Sequence, residues 1–141
     1  LTRDWGDGVY TISTPRTRAA LGWIGGRDIE LGDVDIRMHT RSASVAVQSL
    51  DDQPVASARA LLVSIGTRSE PTPPNRSPYL SEAAAGTITV RAAPGLKAFE
   101  ILGDRETPRP VGYREGRYVI ELDGRQPVHW IELRRGGRAG D

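Results

Sequence analysis

The sequence predicts an all-β chain, a two-sheet antiparallel β-sandwich, jelly-roll-like, of about eight to ten strands with almost no helix. Three observations carry this. Residues 44–68, SVAVQSLDDQPVASARALLVSIGTR, hold two apolar runs joined by a polar, turn-forming centre. Val45 and Val47 alternate with Ala46 and Gln48, whereas residues 60–65 are almost continuously apolar. That contrast is expected of an outer and a central strand of a packed sheet. Secondly, helical periodicity is nearly absent, and short strand-like runs recur at close spacing, each ended by Gly, Pro, Asp or Asn. Thirdly, a single Phe and a single Met leave a core of Val, Ile, Leu and Ala, a composition that suits sheets.

Taken in order, residues 9–13 form the first strand, opened by the Asp7-Gly8 turn, and residues 19–24 the second, closed by Gly25-Gly26. Residues 28–31 and 34–39 flank Gly32-Asp33. In the latter, Val34, Ile36 and Met38 share one face against Asp35, Arg37 and His39. After the central pair come strands at 86–92, 97–102, 117–123 and 128–134. The Gly124-Arg125-Gln126-Pro127 link reads as the turn of a closing hairpin. Pro71, Pro73, Pro74 and Pro78 mark residues 69–85 as a long surface excursion, because proline cannot donate to a ladder. Pro108 and Pro110 mark residues 103–116 as a second irregular link. The sandwich spans residues 1–135, and residues 136–141 read as a frayed tail.

At 141 residues the chain is one domain, large enough to bury a core without metal or disulfide staples. Its formal charge is 19 − 18 = +1, so no long-range field recruits nucleic acid or an anionic membrane. The absence of cysteine excludes thiol catalysis, disulfides and Cys-ligated zinc. No apolar run approaches the ~20 residues of a membrane-spanning helix. No signal peptide is visible, and the opening Leu1-Thr2-Arg3-Asp4 reads as a domain boundary. The basic residues are nearly all Arg, and with abundant Ala and Gly this points to a GC-rich bacterial coding sequence.

The segments Gly8-Val9-Tyr10-Thr11-Ile12, Thr14-Pro15-Arg16-Thr17 and Gly22-Trp23-Ile24-Gly25-Gly26, followed by Ser49-Leu50-Asp51 and Leu61-Leu62, resemble a known module. They are similar to the C-terminal β-sandwich domains of large bacterial glycoside hydrolases, which resemble carbohydrate-binding modules. Asp52 stands where that family often has Gly. The resemblance implies a secreted bacterial module that binds a plant or microbial polysaccharide and targets an attached hydrolase. Its alternative implication is a structural accessory sandwich that stabilises the catalytic domain without binding sugar. The expected partners are a polysaccharide or oligosaccharide and the parent enzyme's catalytic domain, with no nucleic acid and no membrane.

Catalysis by the chain itself is not expected. Glycoside hydrolysis needs two carboxyls ~5–9 Å apart across the scissile bond, and Glu100, Glu115, Glu121 and Glu132 alternate with apolar residues as outward positions do. There is no G-x-S-x-G elbow, and the only histidines are His39 and His129. No cofactor is expected. A structural calcium is the one open option: Asp4, Asp7, Asp28, Asp33, Asp51 and Asp52 sit in turns with glycine neighbours. Against it, Asp is the ordinary turn residue and no D-x-D-x-D run is present.

Aromatic side chains carry the saccharide expectation, because a pyranose offers an apolar C–H face that stacks on Trp or Tyr. Tyr10 and Tyr118 share faces with apolar neighbours and are assigned to the core, and Trp23 to packing. Trp5, Tyr79, Tyr113 and Trp130 remain as saccharide-binding candidates, with Asn75, Arg76 and Glu82 as polar partners beside Tyr79. For each aromatic the competing role is covering a loop or docking on a neighbouring domain.

Overall fold

The computed structural model describes residues 2–4, 6–72 and 76–136, with side chains over 6–71 and 80–136. Strands are numbered in chain order. The larger sheet has the order β1 (Thr2–Asp4), β2 (Val9–Thr14), β3 (Thr17–Gly22), β6 (Ala43–Ser49), β7 (Ala60–Thr67), β15 (Trp130–Arg134), β11 (Lys97–Leu102) and β12 (Arg105–Arg109). The smaller has the order β13 (Gly112–Arg114), β14 (Arg117–Asp123), β10 (Ala85–Arg91), β5 (Val34–Met38) and β4 (Ile29–Glu30). A separate ribbon pairs β8 (Ser69–Thr72) with β9 (Arg76–Ser81). All strand pairs are antiparallel, and the chain folds as an all-β sandwich.

Period-two patterning explains the layers. Val34, Ile36 and Met38 of β5 are buried, as are Val45 and Val47 of β6 and Leu61, Val63 and Ile65 of β7. Ile88 and Val90 of β10, Tyr118 and Ile120 of β14, and Ile131 and Leu133 of β15 complete the core between the sheets. One end is stoppered by the loop after β6, whose single 3₁₀ turn, Val55–Ser57, seats Val55 and Ala58 fully buried. The Val55 amide donates to Pro15 O at 2.8 Å, tying that loop to the β2–β3 turn.

Each strand run read from the sequence is a strand here, with ends moved by about two residues. Four expectations are corrected. First, β6 is not an outer strand, because it lies between β3 and β7. The apolar run of β7 also alternates, with Leu62 on the outer face of its sheet. Second, the closing hairpin does not form. Strand β14 pairs with β10 and β13 in the smaller sheet, whereas β15 pairs with β7 and β11 in the larger, so residues 124–129 cross between layers.

Third, the proline-rich segments do carry strands: β8 and β9 contain Pro71 and Pro78, and β12 contains Pro108. A two-stranded ribbon has only edge strands and β12 is the sheet edge, so each proline can sit where no ladder donor is needed. Fourth, Tyr10 and Ile12 face outward. They pair with Leu21 and Ala19, whereas their neighbour Thr11 pairs with Ala20, which is fully buried in the core. The tail beyond Gly136 lies outside the described residues.

Candidate functional site

A groove of about 670 Å³ opens where β3, β6 and β7 end beside the β8–β9 ribbon. Its exposed large apolar side chain is Trp23, 54% accessible. Ile24 follows Trp23 and is fully buried, so the indole turns the other way. The Trp23 amide donates to Gly8 O at 3.1 Å, and Cδ1 lies where a Cβ on residue 8 would come within 2.6 Å, so glycine at 8 makes room for the ring edge. The Arg41 guanidinium stands 5.3 Å from the ring centroid, a cation–π approach. The Gly25 amide donates to Arg41 O at 3.1 Å and holds the two loops together.

The polar rim is built by the ribbon's base. The Glu82 amide donates to Arg68 O at 2.9 Å, and the Thr67 hydroxyl donates to Glu82 O at 2.5 Å, placing Arg68 and Glu82 at the mouth. The floor is left open at Gly66, opposite Ser44, where any Cβ would come within 2.4 Å of the Ser44 hydroxyl. The groove therefore offers one open indole, guanidinium donors from Arg41 and Arg68, the acceptor carboxylate of Glu82 and serine hydroxyls that do both.

The structure scatters the residues singled out from the sequence. Glu82 lines the groove. Trp130 is 46% exposed on the outer face of the larger sheet, opposite in direction to the buried Ile131 and Leu133, as its alternation implied. Tyr113 is exposed on β13, the edge of the other sheet, with one face 4.8 Å from the ring of buried Tyr118. It partly lids the core and shares no platform with Trp130. Strand β9 places Arg76 and Tyr79 on the ribbon beside the groove, but their side chains, like Trp5 and Asn75, lie outside the described residues. The expectation of packing for Trp23, between Leu21 and the glycines where the resembling family tolerates Phe, is corrected, because the indole is exposed. The fully apolar Ile24 beside it was the signal that the indole must face out.

The turn aspartates are separately tied down. Asp7 pairs with Arg27 at 3.0 Å, Asp28 with Arg37 at 3.2 Å, Asp33 with Arg18 at 2.6 Å and Asp52 with Arg16 at 2.5 Å. Asp51 accepts from the Arg59 amide at 2.8 Å, the Ser49 hydroxyl at 2.9 Å and the Gln53 amide at 3.4 Å. Burial pushes its carboxyl up, but these donors together outweigh burial and hold it below its ordinary value. Among the described residues no three His, Asp or Glu side chains group as metal ligands.

Glu100 corrects another expectation. It pairs with Ile131 on the inner face, near the open end of the sandwich, and its carboxylate meets Arg109 at 3.0 Å. Glu115 stands at φ 53° between β13 and β14 rather than on a strand.

No family model matches this chain. Comparison with curated proteins and with solved structures finds no match either.

Proposed function

We propose that the chain is a non-catalytic saccharide-binding module whose stacking residue is Trp23. The supporting observation is the open indole in a groove rimmed by Arg41, Arg68 and Glu82. In this reading a pyranose lies on the free indole face, and the rim groups bond its hydroxyls. The proposed biological role follows the family resemblance: a secreted bacterial module that holds an attached glycoside hydrolase on its polysaccharide by raising local substrate concentration. One stacked ring with a few hydrogen bonds gives a dissociation constant of roughly 0.1–1 mM.

Affinity electrophoresis of the chain through gels containing xylan, xyloglucan, mannan, agarose and cellulose derivatives tests this. The expected result is retardation in at least one gel that Trp23→Ala abolishes and Tyr113→Ala leaves intact. Unretarded migration in every gel removes the saccharide reading and leaves the accessory, sugar-free sandwich as the alternative.

A further inference from the structure

Arg16, Arg18, Arg27 and Arg37 each hold an aspartate, at 2.5–3.2 Å. Arg41, the next arginine in the chain, breaks that pattern. Among the described residues no carboxylate pairs with its guanidinium, which lines the groove and lies 5.3 Å from the Trp23 ring centroid. Arg68, the groove's other guanidinium, has Glu70 at 3.9 Å. Glu82 lines the same groove and makes no ion pair with either arginine. One cleft therefore holds a cation and a carboxylate that are not bonded to each other.

The state of Arg41 matters chemically. An indole attracts a guanidinium through its ring quadrupole and uses none of its five N–H donors. Those donors stay available as a planar fork, which matches a carboxylate with two parallel hydrogen bonds.

We propose, resting on the saccharide reading of this groove, that its ligand is an acidic saccharide and that Arg41 selects it by gripping a uronate carboxylate. The carboxylate belongs to the ring stacked on Trp23 or to its neighbour in the saccharide chain. A cleft of about 670 Å³ lies within the size range of ligand pockets and has room for both rings. Arg41 stands against the indole, whereas Glu82 is anchored at the base of the β8–β9 ribbon through its backbone amide and carbonyl. Glu82 accepts from sugar hydroxyls and repels a carboxylate brought beside it, so the ligand lies with its acid group toward Arg41. The whole chain carries a formal charge of only +1, so the selectivity comes from this contact and not from a general attraction to polyanions. An open site screens the ion pair, and the two parallel hydrogen bonds work against that screening. The expected preference for the acidic over the neutral sugar is at least about fivefold.

Isothermal titration calorimetry tests this with oligosaccharides of glucuronoxylan and polygalacturonate, and with the same oligosaccharides after reduction of their carboxyls to primary alcohols. In at least one pair the acidic form is expected to bind at least about fivefold more tightly than its reduced form. Arg41→Gln removes the preference by weakening the acidic form alone, whereas Trp23→Ala weakens both forms. Arg41 ties its loop through its backbone carbonyl to the Gly25 amide, so the glutamine variant keeps that tie. Arg114→Gln, on the exposed edge strand β13 of the other sheet, leaves both affinities unchanged. Equal affinity within each pair overturns the inference, as does a preference that Arg41→Gln retains or that Arg114→Gln also removes. Trp23-dependent binding confined to neutral saccharides overturns it as well, and in each of these cases the saccharide reading stands. Binding to no saccharide, acidic or neutral, removes both.

Discussion

Replacing Asp51 by Ala should destabilise the sandwich by about 2–3 kcal/mol at neutral pH. The side chain joins the end of β6 to the start of β7 through three donors, the shortest being the Arg59 amide at 2.8 Å. A hydrogen bond to a charged acceptor contributes about 1.5–3 kcal/mol net. The three donors, two backbone amides and a hydroxyl, can turn to water in the variant, which keeps the sum near one strong bond. At about 2.1 cal/mol/K per residue, unfolding 141 residues changes entropy by roughly 0.3 kcal/mol/K, so the melting temperature falls by about 8 °C.

The pH dependence has a definite sign. The folded carboxyl titrates below its ordinary value of 3.8, so its stabilisation is complete above about pH 5 and is lost as pH falls through the folded pKa. Thermal unfolding of the parent and Asp51→Ala by circular dichroism, from pH 7 to pH 2, should show the gap closing at the acid end. Equal melting temperatures at pH 7, or a gap unchanged down to pH 2, would refute the assignment of this carboxylate as the loop's tie.

Tyr118→Phe should cost about 1–3 kcal/mol in denaturant unfolding, because its hydroxyl donates to Ala93 O at 2.6 Å and accepts the buried Leu96 amide at 3.0 Å. Burial raises this phenol's pKa, so its contribution is intact below about pH 10 and disappears as pH rises through the folded value. Gly22→Ala should cost about 3 kcal/mol or more. Residue 22 sits at φ 106° and a Cβ would come within 2.0 Å of Gly8 O, so soluble, normally melting protein would contradict this. Arg134 is buried against Phe99 with Nη1 unpartnered, and Glu106 holds its pKa above the ordinary value. Arg134→Met should be neutral within about 1 kcal/mol or stabilising, whereas Glu106→Ala, which leaves the guanidinium with Glu132 alone, should lose about 2 kcal/mol. Urea titrations of both check the asymmetry.

Much of this architecture was legible locally. Alternation of Val34, Ile36 and Met38, or of Ile131 against Trp130, depends only on the two-residue repeat of a strand, so the sequence alone determined the all-β class and the central strands with their buried sides. Asp51 and Tyr118 likewise stand as the turn and core residues their neighbours imply. Alternation has two phases, however, and a half-apolar strand does not say which phase faces the core. Tyr10 and Ile12 of β2 were assigned inward, but the register against Ala20 and the far side of the sheet turned them out.

The tertiary structure alone decided which strands share a sheet, because pairing is a contest among distant segments that no local pattern encodes. That contest separated β14 from β15, set Tyr113 and Trp130 on different surfaces, and brought Trp23, Arg41, Arg68 and Glu82 from four separate stretches to one groove.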